Sequence, residues 1–148
     1  MPWLKKPNKK ERPRRKQLTE ERKIAAGLYN TPTWRHLRTD TVRRLPYCAV
    51  CLCRLSGAVL TMAQEVHHLE PILRGIDDAQ RATLAYSADN LAPLCRSCHR
   101  QIHTSGLRHV DEGRLWRLLD ALHSGSSAEE MGALVTKILM EDNGKKEL

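Results

Sequence analysis

The chain contains no phenylalanine, and tryptophan and tyrosine together contribute only six of its 148 residues. A chain of this length with so few aromatic side chains can bury only a modest hydrophobic core. The sequence also lacks a long apolar run and a secretory signal, so we expect a cytoplasmic location and no membrane partner. It therefore reads as one domain with tails, in need of a second source of stability.

The cysteines indicate what this second source of stability is. Four of the five form two Cys-x-x-Cys pairs, Cys48 with Cys51 and Cys95 with Cys98. Two such pairs can present four thiolates to one Zn²⁺ tetrahedrally at about 2.3 Å. Paired cysteines without a secretory signal favour a metal over disulfides. The sequence therefore predicts a structural zinc site, and the fifth cysteine, Cys53, is left for packing or as a free thiol.

Positive charge is concentrated at the start of the chain. The formal net charge is +8, and the first 23 residues supply ten Lys or Arg against three Glu. Residues 2–16 contain three prolines and no helical or strand periodicity of apolar residues. This pattern predicts that residues 1–27 form a disordered basic arm. Such an arm contacts nucleic-acid phosphates without reading sequence, although it could also be only a solubilising tail. The residues expected to contact DNA are Lys5, Lys6, Lys9, Lys10, Arg12, Arg14, Arg15 and Lys16.

Capping residues and apolar periodicity divide the rest of the chain into short elements. Thr31 followed by Pro32 predicts the start of a helix that ends near Leu45, with Trp34 as a core anchor rather than a base-stacking residue. The other expected elements are a strand over 63–69, a helix from Asp77 to Tyr86, a strand over 90–94 and a helix from Arg96 to about Thr104.

Four histidines fall on the first predicted strand and on the helix that begins at Arg96. His99 and His103 are four residues apart on one helix face, with Cβ atoms about 6 Å apart, so both imidazoles can reach one ion. His67 and His68 are adjacent, and neighbours on a regular strand face opposite ways. Both can meet one phosphate only if the strand twists or ends there, as Pro71 suggests; otherwise one is a packing residue.

The segments EVHHLEPI (residues 65–72) and DNLAPLCRSCHR (residues 89–100), together with the upstream helix containing Trp34 and the two cysteine pairs, resemble the HNH endonuclease family. The chain looks most like the small zinc-containing HNH nucleases of phages and prophages. The resemblance covers roughly residues 29–103. It implies an α+β fold of the ββα-metal type, similar to a treble clef, stapled by zinc and flanked by helices.

The resemblance also implies residue roles. His68 aligns with the general base that deprotonates the attacking water, and Asn90 with the residue that ties the loop to the strand and helps orient that base. His67 takes the place of a metal ligand that is more often Asp in the cysteine-containing branch. His99 aligns with a ligand on the helix, and His103 with the additional histidine of the colicin-type branch.

A second divalent cation is expected at these histidines. Phosphodiester hydrolysis needs a cation that takes up charge on the phosphate and the leaving group. A carboxylate favours Mg²⁺, whereas an imidazole set favours metals such as Mn²⁺, Ni²⁺ or Zn²⁺, so the metal stays open among these four. Arg100 on the same helix is expected to contact DNA.

Beyond Gly106 the resemblance ends. Residues 111–122 predict a helix with Leu115, Trp116, Leu118, Leu119 and Leu122 inward, and Ser127 with Glu130 predicts the start of another. We therefore expect an arm (1–27), a nuclease domain (28–106), a helical hairpin (107–142) and a tail (143–148). The hairpin covers the core or docks on a protein partner such as a phage packaging machine.

The function predicted from the sequence is a metal-dependent DNA endonuclease, encoded by a phage or prophage, that makes nicks or double-strand breaks. Its residues His67, His68, Asn90, His99 and His103 together favour the enzyme. Two alternatives stay open. One is a non-catalytic zinc module that binds DNA or a protein, and the other is a packaging subunit in which cleavage is auxiliary.

Overall fold

The computed structural model describes the backbone of residues 19–146 and the side chains of residues 19–141. In that range, short helices surround one small sheet, with 3₁₀ turns at Ile72–Arg74 and Ala88–Asn90. The helices and strands follow in the order α1 (Glu20–Tyr29), α2 (Pro32–Arg44), α3 (Ala49–Leu52), β1 (Glu65–His68), α4 (Asp78–Tyr86), β2 (Leu91–Leu94), α5 (Arg96–Ser105), α6 (Glu112–His123) and α7 (Ala128–Lys146).

Side-chain caps set the starts of the helices where the sequence predicts them. The Thr31 hydroxyl accepts a hydrogen bond from the backbone N–H of Trp34 at 3.2 Å, with Pro32 in the first turn of α2. Asp77 caps α4 in the same way through the N–H of Gln80 at 2.7 Å. Ser127 accepts from Glu130 at 3.1 Å where α7 begins. The predicted elements between residues 31 and 105 are confirmed, within a few residues at their ends.

The two strands pair antiparallel, with Val66 opposite Pro93, His67 opposite Ala92 and His68 opposite Leu91. Side chains alternate between the two faces, so Val66 and His68 are buried whereas Glu65 and His67 are half-buried. The mixture of helices with one small antiparallel sheet and a cluster of four cysteines confirms the predicted α+β fold.

The main core joins the cysteine pairs to the two C-terminal helices. Leu118 and Leu122 of α6 and Met131 and Ile138 of α7 are buried in one cluster with Cys48. The apolar stripes of the hairpin therefore pack on the chain's own core. The inward placement of Trp116 was wrong, since this side chain is 54% exposed.

A smaller cluster lies on the other face of the sheet. Trp34 of α2 packs there against Val66 and Leu91, so the prediction of a core anchor at Trp34 is confirmed. This cluster attaches α2 to the strand that carries His67 and His68. Within residues 19–146, no helix has both the length and the apolar character needed to cross a membrane.

The expected boundaries of the arm and the tail need correction. Helix α1 begins at Glu20, with Thr19 as its N-cap, so the disorder predicted for residues 1–27 is wrong from residue 20 onward. Helix α7 continues to Lys146, beyond the hairpin end expected at residue 142 and into the expected tail. Eight predicted DNA contacts lie outside the described residues: Lys5, Lys6, Lys9, Lys10, Arg12, Arg14, Arg15 and Lys16.

Candidate functional site

Four thiols meet where α3 approaches the start of α5, and we call them the cysteine cluster: Cys48, Cys51, Cys95 and Cys98. Their sulfur atoms all lie within 4.8 Å of one another. The Sγ of Cys51 is 3.8 Å from that of Cys95 and 3.6 Å from that of Cys98. Tetrahedral Zn–S bonds of about 2.3 Å place sulfurs about 3.8 Å apart. The cluster therefore fits one structural zinc ion.

Burial and a neighbouring arginine act on the Cys98 thiol of the cysteine cluster. Burial raises the pKa of the Cys98 thiol to about 11, even though the Arg54 guanidinium donates a hydrogen bond to its Sγ at 3.3 Å. A buried thiol of this kind becomes a thiolate when a metal displaces its proton. Cys53 lies outside the cluster and is fully buried in the core, as the packing alternative predicted.

Three imidazoles meet between β1 and α5, and we call them the histidine cluster: His67, His99 and His103. One nitrogen of each lies within 4.8 Å of the others. The Nε2 atoms of His99 and His103 are 3.0 Å apart. Two ring nitrogens bound to one tetrahedral zinc ion at 2.0–2.1 Å lie about 3.3 Å apart. The three rings are therefore close to the arrangement in which they could hold one ion and leave a position open.

Glu65 fixes the ring of His99. Its carboxylate bonds to Nδ1 of His99, and it lies 3.8 Å from the Nε of Arg96. Because a carboxylate accepts hydrogen bonds, Nδ1 carries a hydrogen, and in the neutral ring Nε2 keeps its lone pair. That lone pair faces His103. A carboxylate behind a histidine ligand orients the ring and raises its basicity.

Burial, together with the neighbouring His99 and His103, lowers the pKa of His67 to about 4. The imidazole is therefore neutral at physiological pH, as a metal ligand has to be. The histidine cluster opens into a cleft of about 180 Å³. Its other walls include Tyr29 of α1 and Leu73 of the 3₁₀ turn.

His68 borders the same cleft from the opposite face of β1. Only 6% of the residue is exposed, and its ring stacks on Trp34 with centroids 4.9 Å apart. Its Nε2 donates to the backbone carbonyl of Ala85 at 3.0 Å, and its Nδ1 is 3.4 Å from the Tyr29 hydroxyl. Burial lowers the pKa of His68, against the effect of the Ala85 carbonyl.

Asn90 closes the loop between β1 and β2. Its side-chain oxygen accepts from the backbone N–H of Glu70 at 2.7 Å, and its amide donates to the carbonyls of Glu70 and Leu84 at 2.9 Å. The carbonyl of Leu84 precedes that of Ala85, which anchors His68. Asn90 therefore supports His68 indirectly, through the backbone of α4. It is not among the residues that line the cleft.

Residues 48–105 match the family model described as HNH endonuclease. Over this stretch the chain is similar to the HNH endonuclease family, and we call residues 48–105 the HNH-like region. The match spans 58 of the 148 residues and includes both cysteine pairs, the histidine cluster, His68 and Asn90. The searches of curated proteins and of solved structures found no match to this chain.

The HNH-like region also presents a basic surface. Arg100 is exposed on α5, and it lines a shallow polar groove with Arg96, Gln101 and Thr104. Arg96 and Arg100 are one turn apart, on the helix that carries His99 and His103. Of the residues predicted to contact DNA, Arg100 alone falls in the part of the chain that the structure describes.

Sequence reasoning missed three contacts of the site. Glu65 had a usable signal, because it lies two residues before His67 on a strand and therefore shares its face. Arg54 and Tyr29 had none, since their partners Cys98 and His68 lie 44 and 39 residues away in the sequence. Tyr29 also precedes the HNH-like region.

Proposed function

We propose that this protein is a metal-dependent endonuclease that hydrolyses phosphodiester bonds in DNA. The observation that carries the proposal is the histidine cluster, which combines three converging imidazoles with an open cleft inside the HNH-like region. Three imidazoles leave a coordination position open, whereas a structural zinc site is closed by four protein ligands. Phage or prophage origin remains a prediction from the resemblance alone.

In this proposal His67, His99 and His103 hold the catalytic cation. A bound divalent cation would act as a Lewis acid toward the phosphate and the leaving oxygen. The all-imidazole set favours Zn²⁺, Ni²⁺ or Mn²⁺ over Mg²⁺. Glu65 keeps the lone pair of His99 directed into the histidine cluster.

His68 is the proposed general base. An imidazole suits this role because it is mostly neutral at working pH and still basic enough to take a proton from water. The Ala85 carbonyl and the stacked ring of Trp34 fix its plane and its tautomer, which leaves Nδ1 as the atom that would accept the proton. Asn90 fixes the backbone on which this arrangement depends.

The basic residues are proposed to bind the phosphate backbone. Arg96 and Arg100 offer two guanidinium groups on the exposed side of α5, one turn from the histidine cluster. Residues 1–18 add eight Lys or Arg against one Glu. Contacts of this type position a nuclease on its substrate without reading the sequence.

A second candidate is a zinc-stapled module that binds nucleic acid without cleaving it. The observation that favours it is the burial of His68, both of whose ring nitrogens are engaged by the protein. In that case the cysteine cluster would be the only site that needs a metal. A packaging role through α6 and α7 has no comparable support, because their apolar stripes lie in the core.

The deciding experiment is single-turnover cleavage of plasmid DNA by the full chain across Mg²⁺, Mn²⁺, Ni²⁺ and Zn²⁺. His68→Ala should lower the rate by roughly 10²-fold or more, the usual scale for a positioned acid–base group, and added metal should not rescue it. His36→Ala is the matched control, since His36 is exposed on α2. Wild-type rates in His68→Ala, or no cleavage with any metal, would favour the binding module.

A further inference from the structure

Helix α1 lies over the cleft of the HNH-like region although it is not part of the family match. Ala25 and Tyr29 of this helix line the cleft together with the histidine cluster and His68. The Tyr29 ring meets Trp34 edge to face, with centroids 5.2 Å apart, and it lies 5.7 Å from the ring of His68. Tyr29 therefore sits beside the one nitrogen of His68 that could take a proton.

The contact between Tyr29 and His68 occupies the lone pair of the His68 ring. Because Nε2 donates to the carbonyl of Ala85, the neutral ring has its lone pair on Nδ1. The hydroxyl of Tyr29, 3.4 Å away, is a donor to that atom. Burial raises the pKa of Tyr29, which keeps the hydroxyl protonated. With both nitrogens engaged and 6% of the residue exposed, His68 offers no free acceptor to water in this conformation.

The attachment of α1 is weak enough for the helix to move. None of its ten residues is buried, and Ile24, Ala25 and Leu28 are only half-buried. Two hydrogen bonds hold its last turn, where the carbonyl of Leu28 accepts from the hydroxyls of Tyr86 on α4 at 2.9 Å and of Thr31 at 3.0 Å. A segment with few buried apolar contacts opens at low free-energy cost.

We propose that α1 is a lid that closes the cleft and that Tyr29 is its latch, so that cleavage requires α1 to leave His68. The expected effect on cleavage rests on the proposed nuclease function, whereas the covering of His68 by α1 does not. A nucleic acid that occupies the cleft would compete with Ala25 and Tyr29 for the same space. Its binding would therefore shift the population toward the open form.

Accessibility of His68 can be measured without any activity. The full chain is treated with diethyl pyrocarbonate, and tandem mass spectrometry distinguishes modified His68 from His67. Exposed His36 is the reference in the same sample. We expect His68 to react slowly in the wild type and severalfold faster in Tyr29→Ala. Tyr86→Phe, which removes one of the two hydrogen bonds to the Leu28 carbonyl, should change the rate in the same direction.

Lys23→Ala is the matched control, because Lys23 lies on the same helix and pairs with Glu20 on the surface. It should leave the reactivity of His68 unchanged. Tyr29→Phe, which keeps the ring and removes the hydroxyl, provides a second variant if Tyr29→Ala fails to fold. Its His68 should also react faster than that of the wild type. Equal reactivity of His68 in the folded Tyr29 variant and the wild type would overturn the lid.

Cleavage of a short DNA duplex completes the test. The lid predicts a severalfold higher single-turnover rate in Tyr29→Phe and Tyr86→Phe than in the wild type. A lower rate together with faster modification of His68 would make Tyr29 a positioning residue and overturn the lid. Faster modification without cleavage by any variant would instead remove the nuclease function and leave α1 as the cover of His68.

Discussion

The Nε2 atoms of His99 and His103 face each other at 3.0 Å across one turn of α5. This spacing is close to the roughly 3.3 Å between two nitrogens on one tetrahedral ion, so a cation could bind with little rearrangement of the helix. His67 completes the cluster from β1, with ring centroids 5.1 Å from His99 and 5.3 Å from His103. The candidate site therefore depends on how the strand packs against α5.

Removal of a ligand should weaken binding of the second ion. We expect His99→Ala and His103→Ala to shift the midpoint of a Ni²⁺ or Mn²⁺ titration to higher concentration, because each removes one of three ligands. Isothermal titration calorimetry on zinc-loaded protein measures this directly. His109→Ala, an exposed histidine outside the cluster, is the control. Unchanged binding in both cluster variants would argue against the metal site.

Loss of the carboxylate behind His99 should have a smaller effect of the same kind. Glu65→Gln is expected to reduce metal affinity by about 10- to 100-fold, the usual range for an outer-shell partner, since the amide cannot supply the negative charge that raises the basicity of His99. Glu70→Gln, whose carboxylate pairs with Arg74 on the surface, is the comparison. Equal metal affinities of Glu65→Gln and Glu70→Gln would contradict this prediction.

The cysteine cluster should hold one zinc ion through purification. Cys95→Ser should lose the ion and unfold the domain, because the ion joins α3 to α5 in a molecule with a small core. Cys53→Ala, which changes a buried cysteine outside the cluster, should keep its zinc even if its melting temperature falls. Metal analysis and circular dichroism provide the readout. A folded wild-type protein without zinc would contradict the prediction.

Acid should release this zinc. Burial raises the pKa of Cys98 to about 11, so protons compete strongly for the thiolate. Zinc affinity therefore falls as the pH falls, since each bound thiol regains its proton. A zinc-responsive dye should therefore report increasing release of zinc as the pH is lowered from 8 toward about 5. Retention independent of pH would be inconsistent with a thiolate site.

Deletion of residues 2–18 tests the role of the basic segment. If its Lys and Arg bind phosphates, the truncated protein should bind all DNA sequences more weakly and show a flatter log–log salt dependence, by about 0.9 for each lost phosphate contact. The cut leaves Thr19, the cap of α1, in place. Fluorescence anisotropy at several salt concentrations gives the slope. An unchanged slope would indicate that the segment is only a solubilising tail.

Much of the site could be predicted because its signals are local. The spacing of Cys48 with Cys51 and of His99 with His103 already brings each pair together in a tight turn or on one helix face. Capping residues such as Thr31 set the helix starts by satisfying backbone N–H groups. By contrast, the disorder expected for residues 20–27 was wrong, because α1 is supported by contacts with α4 and with the 3₁₀ turn at Ile72–Arg74, which are distant in sequence.

The sequence by itself determined which residue types were available for metal binding, since thiol and imidazole spacing is a property of the local chain. The tertiary structure decided which of them meet. Pairing of β1 with β2 puts His67 beside α5 and turns His68 toward Trp34, because neighbours on a strand point to opposite faces. Packing likewise left Trp116 exposed and brought Tyr29 onto His68. Those contacts join segments far apart in sequence, where no local periodicity can specify them.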